Sequence, residues 1–324
     1  MRTRPGLARG ANTARLRYNR ASTNERGSMA GEKQPRRVLV AGATGYLGGE
    51  VVKVLHAAGH RVRALARDPK RLGELRDLCD DVFVAEVTEP DTLIGICDGM
   101  DAVFTSVGVR TMKRKPTFWD VDCQGNLNLL EQAKNAQVDD FIFVSVFRGK
   151  QMRDSVPQAE ARERVVDALP ASGLRWAVVR PSGFFNDMQE FFEMARSGRV
   201  WLVGDGRVRL NPIHGADIAT KVLELLEQPY ASGHGVDLGG PDVLTMRELG
   251  ELAFRVLQKP AKFGRIPVGV LRTAAAMLKP FNQNVSALIS MFAAFGQTED
   301  TVAPSWGDHH LEDFYRELAR KAGK

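Results

Sequence analysis

Short apolar runs alternate along the chain with longer segments in which apolar residues recur at helical spacing. Six of these runs have the length of buried strands and are separated by helical stretches. The predicted strands are Val38–Ala41, Arg61–Ala66, Val82–Ala85, Ala102–Ser106, Phe141–Val144 and Trp176–Val179. Strands that alternate with helices form a parallel sheet with helices on both faces, and ligands bind at the carboxyl ends of its strands. The pattern therefore predicts an α/β fold built on a doubly wound parallel sheet.

The alternation weakens after Arg180, where shorter elements and four helices are predicted. These helices lie near Thr245–Leu257, Val268–Leu278, Val285–Phe295 and Leu311–Lys321. Residues 1–35 are rich in Arg, Ala, Asn and Gly and poor in large apolar residues, so we expect a disordered basic extension there. The chain is thus divided into this extension, a sheet domain over 36–182, and a C-terminal part over 183–324 that completes the sheet.

Three glycines spaced three apart, Gly42, Gly45 and Gly48, directly follow the first predicted strand. A predicted helix comes next, with apolar residues at helical spacing from Val51 onward. Such a turn lets backbone amides approach a diphosphate and lets the helix pack closely on the strand. The motif predicts a Rossmann fold with a dinucleotide site, in preference to a glycine turn without a ligand. The turn residues expected to contact the cofactor are Gly42, Thr44, Gly45, Tyr46, Leu47 and Gly48.

The Gly-x-x-Gly-x-x-Gly spacing resembles that of the extended and atypical short-chain dehydrogenase/reductases, including their NmrA-like NAD(P)H-binding members. Further segments match this superfamily in the same order along the chain. After the third predicted strand, the resemblance implies that Glu86 and Val87 contact adenine. After the fourth, it implies that Val107 and Gly108 pass the cofactor ribose.

The turn after the sixth predicted strand contains Pro181 and Phe184. By the same resemblance, its backbone faces the nicotinamide and its aromatic residues wall the substrate pocket. The resemblance also implies that residues 183–324 form a substrate lobe. The closing segment around Trp306 resembles that of a reductase of vinyl tetrapyrroles, so a tetrapyrrole is one alternative among apolar substrates.

The residue that follows the second predicted strand bears on the choice of cofactor. A carboxylate there accepts the ribose hydroxyl of NAD, whereas a guanidinium binds the 2′-phosphate of NADP. Arg67 stands at this point and can form charge-assisted bonds to a phosphate, although Asp68 is adjacent. We therefore expect NADPH in preference to NAD, with a solvated loop role for Arg67 as the alternative.

The catalytic pair of short-chain reductases, a Tyr followed by a Lys four residues on, is absent from this sequence. By resemblance, Gln158 and Arg162 stand at the two positions. Gln158 cannot act as an acid, and Arg162 stays charged, so Arg162 is expected to hold the ribose or orient the nicotinamide. Ser145 and Lys150 are nearby candidates. No catalytic residue is assigned beyond these three candidates, Ser145, Lys150 and Arg162.

The formal net charge of +6 is unevenly distributed. Residues 1–37 hold ten Lys and Arg and two Glu, so the remainder of the chain carries about −2. A folded body with this balance is not expected to bind nucleic acid. The basic extension is either an organelle-targeting peptide, mitochondrial or plastid, or a dispensable segment upstream of Met29. We expect a cytoplasmic protein, with an organelle as the alternative.

Cysteine and histidine spacing indicates neither a disulfide framework nor a metal site. The three cysteines form no CxxC pair, which suits a reducing compartment. His309 and His310 lack carboxylate or cysteine partners at metal-like spacing. A packing or hydrogen-bonding role is expected for His214.

Residues 280–298 contain no charged side chain but include seven Asn, Gln, Ser or Thr residues, too many for a membrane span. A buried or substrate-lining helix is expected, with an apolar side formed by Val285, Leu288, Ile289 and Phe292. The alternative is a peripheral contact with a membrane or a protein.

Three functions from different classes remain open. The first is an NADPH-dependent reductase of a largely apolar small molecule, in which hydride transfer relies mainly on the positioning of the nicotinamide beside the substrate. The second is a redox sensor or scaffold that binds NADP(H) without turnover. The third is an accessory subunit of a respiratory complex. The oligomeric state does not follow from the sequence.

Overall fold

Eleven strands and ten α-helices form the described part of the computed structural model, which covers residues 34–109, 112–295 and 300–323. The strands are β1 Arg37–Ala41, β2 Arg61–Ala66, β3 Asp81–Val84, β4 Ala102–Thr105, β5 Asp140–Val144, β6 Arg175–Pro181, β7 Val200–Val203, β8 Arg209–Leu210, β9 His234–Leu238, β10 Leu244–Thr245 and β11 Phe263–Ile266. The predicted extension at 1–35 lies almost wholly outside the described residues.

The α-helices are α1 Tyr46–Ala57, α2 Asn126–Asn135, α3 Gly149–Met152, α4 Pro157–Ala168, α5 Phe185–Arg196, α6 Gly215–Glu227, α7 Met246–Val256, α8 Val268–Leu278, α9 Gln283–Phe295 and α10 Leu311–Lys321. Short 3₁₀ segments cover Pro69–Leu78, Pro90–Leu93 and Leu169–Ser172, and a π-helix at Trp119–Gly125 leads into α2. The four helices predicted near the C-terminus correspond to α7 to α10.

Seven parallel strands form the central sheet in the order β3-β2-β1-β4-β5-β6-β9. This confirms the predicted doubly wound α/β fold. All six predicted strands are present with shifts of one or two residues at their ends; for example, β3 ends at Val84 and leaves Ala85 outside. The seventh strand, β9, comes from the C-terminal part of the chain.

The order of the strands reverses beside β1, since β2 pairs with one edge of β1 and β4 with the other. Ala41, at the end of β1, is aligned with Thr105 at the end of β4. The glycine turn after β1 and the turn after β4 therefore start side by side. This is the position at which open α/β sheets bind ligands.

Side chains of β1 point alternately to two apolar layers, one on each face of the sheet. Val38 and Val40 pack in the layer that includes α1 and α6. Leu39 and Ala41 pack in the opposite layer with residues of α2 and α4. Both layers are fully buried around β1, so the strand that leads into the glycine turn is held from both sides.

A third apolar cluster lies in the C-terminal part, where α5, α7 and α10 pack with β7. Its largest fully buried side chains are those of Phe185, Phe192, Phe254 and Tyr315. Two small pairings, β7 with β11 and β8 with β10, accompany it. Phe185, at the start of α5, connects this cluster to the strand that ends at Pro181.

The buried side of α9 differs from the expectation. Phe292 is exposed, and Val285, Leu288 and Ile289 are only partly buried, whereas Asn284, Ser286, Ala287 and Ala293 are buried. The predicted apolar side is therefore wrong. Asn284 can be buried because its side chain bonds to Phe118 N and to the carbonyls of Lys113 and Pro116.

None of the helices in the described ranges combines the length and hydropathy needed to cross a bilayer.

Candidate functional site

The glycine turn places the start of α1 at the carboxyl end of β1. Gly42 has a φ of +93°, which favours glycine, and its carbonyl accepts a hydrogen bond from the Gly45 amide at 2.8 Å. Gly45 is the N-cap residue and no side chain caps the helix. The first amides of α1 can therefore donate to a ligand, and the partial positive charge of the helix start favours an anion there.

Two close approaches require glycine in this turn. A Cβ at residue 48 would lie 2.1 Å from the Gly42 carbonyl oxygen, and a Cβ at Gly42 would lie 2.8 Å from Ser106 Oγ. The first approach lets α1 pack directly on β1, and the second brings the turn against the segment that follows β4. Leu47 is buried in the core, so only its backbone can face a ligand. The arrangement fits a diphosphate at the α1 start.

The segment after β4 brings Val107 and Gly108 against α4. A Cβ at residue 108 would lie 2.2 Å from Arg162 Nη2. Arg162 donates from Nη1 to the Val144 carbonyl at 2.7 Å, and from Nη2 it approaches the Val107 carbonyl at 3.5 Å. The structure thus brings together Gly42, Val107, Gly108 and Arg162, which the sequence separates by up to 120 positions.

Arg162 is engaged in an ion pair that the sequence did not reveal. Its Nη2 lies 2.8 Å from Asp122 Oδ1, and Asp122 also accepts the Val109 amide at 2.8 Å. Burial raises the pKa of Asp122, while Arg162 and the Val109 amide oppose that shift. The guanidinium therefore holds the ends of β4 and β5 together, in addition to any contact with a ribose or nicotinamide.

Ser145 lies at the end of β5 in a second buried polar group. Its hydroxyl donates to Glu163 Oε1 at 2.7 Å, and Glu163 Oε2 lies 3.6 Å from Arg180 Nη2. Both Ser145 and Glu163 are buried. Lys150, by contrast, is exposed on α3. Of the three catalytic candidates, Ser145 and Arg162 lie at the carboxyl ends of the strands with their polar atoms bonded to other side chains.

The adenosine end of the predicted site contains Arg67 and Glu86. Arg67 Nη1 lies 3.3 Å from Glu86 Oε2, and the Arg67 side chain is 57% exposed. An exposed pair of this kind contributes little to stability, so a phosphate can compete for the guanidinium. Val87 is buried, and its carbonyl accepts a bond from Asn128 Nδ2 at 2.8 Å. Glu86, which is predicted to contact adenine, therefore lies beside Arg67, which is predicted to bind a 2′-phosphate.

Tyr46 connects the start of α1 to the C-terminal part. Its hydroxyl accepts a hydrogen bond from the Gly215 amide at 3.0 Å, and its ring meets the rings of Phe184 and His214 edge to face. Burial raises the pKa of Tyr46 to about 12, partly offset by the Gly215 bond. The phenol is therefore protonated at neutral pH and acts as a packing and hydrogen-bonding group.

His214 caps α6 by accepting the Ala216 amide at Nδ1, and its ring stacks on His309 at 4.4 Å. Burial, followed by the nearby His309, lowers the pKa of His214. His309 Nδ1 lies 2.7 Å from Asp217, and His310 Nδ1 lies 2.8 Å from Asp242. In the described ranges no His, Cys, Asp or Glu cluster could hold a metal ion, and Cys79, Cys97 and Cys123 are free and buried.

The turn after β6 is fixed by a buried amide that sequence reasoning missed. Ser182 donates to the Asn211 carbonyl at 2.5 Å, and the Asn211 side chain bonds to the backbone of Gly240 and Ala303. Pro181 is buried, and its carbonyl accepts the Phe147 amide at 3.1 Å. This network holds Pro181 and Phe184 beside the segment that follows β5.

Asp122, Glu163 and Asn211 were not singled out from the sequence as site-forming residues. Each of them is a charged or amide residue at a position where the helical or strand pattern predicts an apolar one. Because a buried polar group needs a partner, this mismatch could have pointed to a polar network around the site.

Known proteins resemble this chain both in sequence and in fold. A family model described as NAD(P)H-binding matches residues 42–229. Divinyl chlorophyllide a 8-vinyl-reductase of Cucumis sativus is 25% identical, over 88% of this chain and 77% of its own length. Photosystem II assembly factor Ycf39 of Synechocystis sp. is 23% identical, over 78% of this chain and 77% of its own.

Among solved structures, the NADPH complex of the quinone oxidoreductase QOR2 from Escherichia coli has a TM-score of 0.68 and 17% identity, covering 87% of this chain and 99% of that one. At this identity the likeness shows the fold alone. The resemblance to atypical short-chain reductases is confirmed. Because the family model begins at the first glycine of the turn and spans more than half of the residues, the chain belongs to the NAD(P)H-binding family.

Proposed function

We propose that the protein is an NADPH-dependent reductase that acts on a largely apolar small molecule. The observation that carries the proposal is the uncapped start of α1 at the reversal point of the sheet, with Arg67 at the end of the neighbouring strand. A diphosphate at the helix start would direct the adenosine toward Arg67 and Glu86, and the other end of the cofactor toward the turns after β5 and β6.

The bound nicotinamide would supply a hydride. The residues of the chain would position the cofactor and the substrate and would form an apolar wall beside them. The Arg162–Asp122 pair fixes the turn at Val107 and Gly108, and the Asn211 network fixes the turn before Phe184. By the resemblance to short-chain reductases, Gln158 stands at the position of their catalytic Tyr, and its amide cannot act as an acid. The proton would therefore come from water or from the substrate.

Binding measurements with both nicotinamide nucleotides test the cofactor. Arg67→Ala is expected to weaken NADPH by about 1.5–3 kcal/mol, which is roughly a 10- to 150-fold change in Kd, and to leave NADH nearly unchanged. Arg61→Ala, an exposed arginine at the opposite end of β2, is the matched control and should alter neither. Equal losses for NADPH and NADH would show that Arg67 does not bind the 2′-phosphate. If neither nucleotide bound at millimolar concentration, the proposal of a dinucleotide site at the start of α1 would be wrong.

Turnover is tested by following NADPH oxidation with enones, quinones and vinyl tetrapyrroles. A vinyl tetrapyrrole is included because relatives that cover most of this chain bear the name of a vinyl reductase. A second candidate function is an NADP(H) sensor or scaffold, which the engagement of Ser145 and Arg162 in buried bonds favours. Tight NADPH binding without oxidation of the cofactor by any acceptor would support that alternative.

The cellular compartment of the protein is a further part of the proposed function. Several relatives are named as chloroplastic, and residues 1–35 of this chain are basic. We propose that this segment decides between the cytoplasm and an organelle. A fluorescent reporter fused behind residues 1–35 tests the choice, since a targeting peptide relocates the reporter and a dispensable extension does not.

A further inference from the structure

Exposed apolar side chains are concentrated in the helix pair α8–α9 and the loop that is bonded to it. Of the nine large apolar residues that stand out as exposed in the described ranges, five belong to α8, α9, the turn between them and the loop before the π-helix. These five are Met112, Val270, Met277, Phe281 and Phe292. Single exposed apolar residues are ordinary, but a concentration of them marks an interaction surface.

The three most exposed of the five lie in the 112–116 loop and in or beside the turn between α8 and α9, which a hydrogen bond joins to that loop. Met112 is 70% exposed, Met277 68% and Phe281 69%. Asn282 Nδ2 donates to the Met112 carbonyl at 2.7 Å, which brings the loop against the turn directly after Phe281. We call residues 112–115 together with residues 277–281 the hairpin tip.

Hydrogen bonds of the Asn284 side chain join the segment 113–118 to the start of α9. Asn284 Nδ2 donates to the carbonyls of Lys113 and Pro116 at 2.8 and 2.9 Å, and Asn284 Oδ1 accepts the Phe118 amide at 3.0 Å. The Asn284 side chain is thereby bonded at both its nitrogen and its oxygen. Together with the bond from Asn282 to Met112, these bonds hold the 112–116 loop against the α8–α9 turn, so the two parts of the hairpin tip stay together.

Cations accompany these apolar residues. Lys113, Arg114, Lys115 and Lys279 lie within the hairpin tip, and all four are exposed. Between Lys259 and Thr298 the sequence has five Lys and Arg and no Asp or Glu. Lys115 lies 3.2 Å from Asp120. Residues 36–324 as a whole carry no formal net charge, so the four cations of the tip are a local excess.

We propose that the hairpin tip docks the protein on an anionic lipid surface. Met277 and Phe281 would enter the boundary between headgroups and acyl chains, and the lysines and Arg114 would reach the headgroup phosphates through their flexible stems. A symmetric contact with a second copy would instead bring like charges together. Docking of this kind needs no spanning helix.

The surface lies close to the candidate site. Ala287 of α9 packs with Phe118, Cys123 and Ala161, and Ala161 precedes Arg162 on α4. An apolar molecule dissolved in the bilayer would then reach the protein beside the carboxyl ends of β4 and β5. The docking itself does not depend on the cofactor proposal, since its contacts and charges are separate from the glycine turn.

Vesicle sedimentation of the full chain tests the proposal. Phosphatidylcholine vesicles with phosphatidylglycerol should bind the protein, and vesicles of phosphatidylcholine alone should bind it much more weakly. The double variant Met277→Gln with Phe281→Gln should lower the partition coefficient on anionic vesicles by roughly tenfold. Its net charge equals that of the wild type, so the basic segment at 1–35 contributes equally to both. Ile94→Gln, in the segment between β3 and β4 and 70% exposed, is the control and should bind like the wild type.

Tryptophan fluorescence provides a readout that the N-terminal segment cannot produce. Phe281→Trp should show a blue shift and quenching by brominated lipid on anionic vesicles, after subtraction of the wild-type signal, whereas Ile94→Trp should not. Unchanged partition of the double variant, or no spectral change at position 281, would overturn the proposal. It would also be overturned if sedimentation equilibrium without lipid showed a dimer that the double variant loses, because a second copy would then cover the tip.

Discussion

Arg162, which is partly buried, and the buried Asp122 form an ion pair whose nitrogen and oxygen lie 2.8 Å apart, between α4 and the π-helix that leads into α2. The same guanidinium donates to the Val144 carbonyl at the end of β5. At the position where the superfamily resemblance places a catalytic lysine, this chain therefore has a group that fixes two site-forming turns.

Loss of this guanidinium should destabilise the protein strongly. Arg162→Ala leaves the Asp122 carboxylate buried without its cation, and the expected loss in the free energy of unfolding is about 3–5 kcal/mol. Urea denaturation at neutral pH measures it. Arg164→Ala removes an exposed arginine on the same helix and should cost less than about 1 kcal/mol. A similar small loss for both variants would contradict the structural role assigned to Arg162.

A methyl group at residue 48 should disturb the start of α1. In Gly48→Ala the new Cβ would approach the Gly42 carbonyl, so α1 must move away from β1, and overpacking of this kind costs about 1–3 kcal/mol. NADPH affinity should fall as well, since the helix amides move. Thermal unfolding and calorimetric titration with NADPH measure the two effects.

Gly269→Ala is the matched control for that variant, because a Cβ there meets nothing within 4 Å and the residue lies within α8. It should leave NADPH binding unchanged and stabilise the protein by up to about 1 kcal/mol. If both alanine variants bound NADPH like the wild type, the close approach of α1 to β1 would not matter for the site.

Acid should destabilise the protein partly through Asp140. Burial opposes the ionised form, but hydrogen bonds from Arg175, Tyr230 and Arg36 outweigh it and hold the pKa of Asp140 below its usual value. The stability from this carboxylate is complete above the unfolded-state pKa of about 3.9 and is lost as the pH falls through the lower folded-state value.

Asp140→Asn should therefore lower the free energy of unfolding at pH 7 by about 3 kcal/mol and flatten its fall between about pH 5 and 2. Asp139→Asn, whose side chain is 73% exposed, should change neither. Parallel pH profiles of the wild type and Asp140→Asn would show that another group controls acid unfolding.

The sequence predicts most of the sheet because its inner strands are local apolar runs. β9 was not predicted because its sequence, HGVDL, contains no apolar run. It lies at an edge of the sheet, and Leu238 is its one buried residue. The side of α9 was predicted wrongly because its burial is set by hydrogen bonds from Asn284 to a loop about 170 residues earlier, a distance that helical periodicity cannot register.

The same contrast applies within the candidate site. The glycine turn was predictable because its spacing encodes a local backbone geometry. The partners of Arg162 and Ser145 were not, since Asp122 and Glu163 become neighbours of these side chains only when helices fold across the strand ends.

The hydroxyl of Tyr46 joins the first residue of α1 to the first residue of α6. This one hydrogen bond spans 169 positions of the sequence, so the residue that opens the candidate cofactor helix also fixes the start of a helix in the C-terminal part. The Tyr46 ring also packs edge to face on His214, which stacks on His309, so one aromatic side chain borders both the candidate diphosphate site and the imidazole pair.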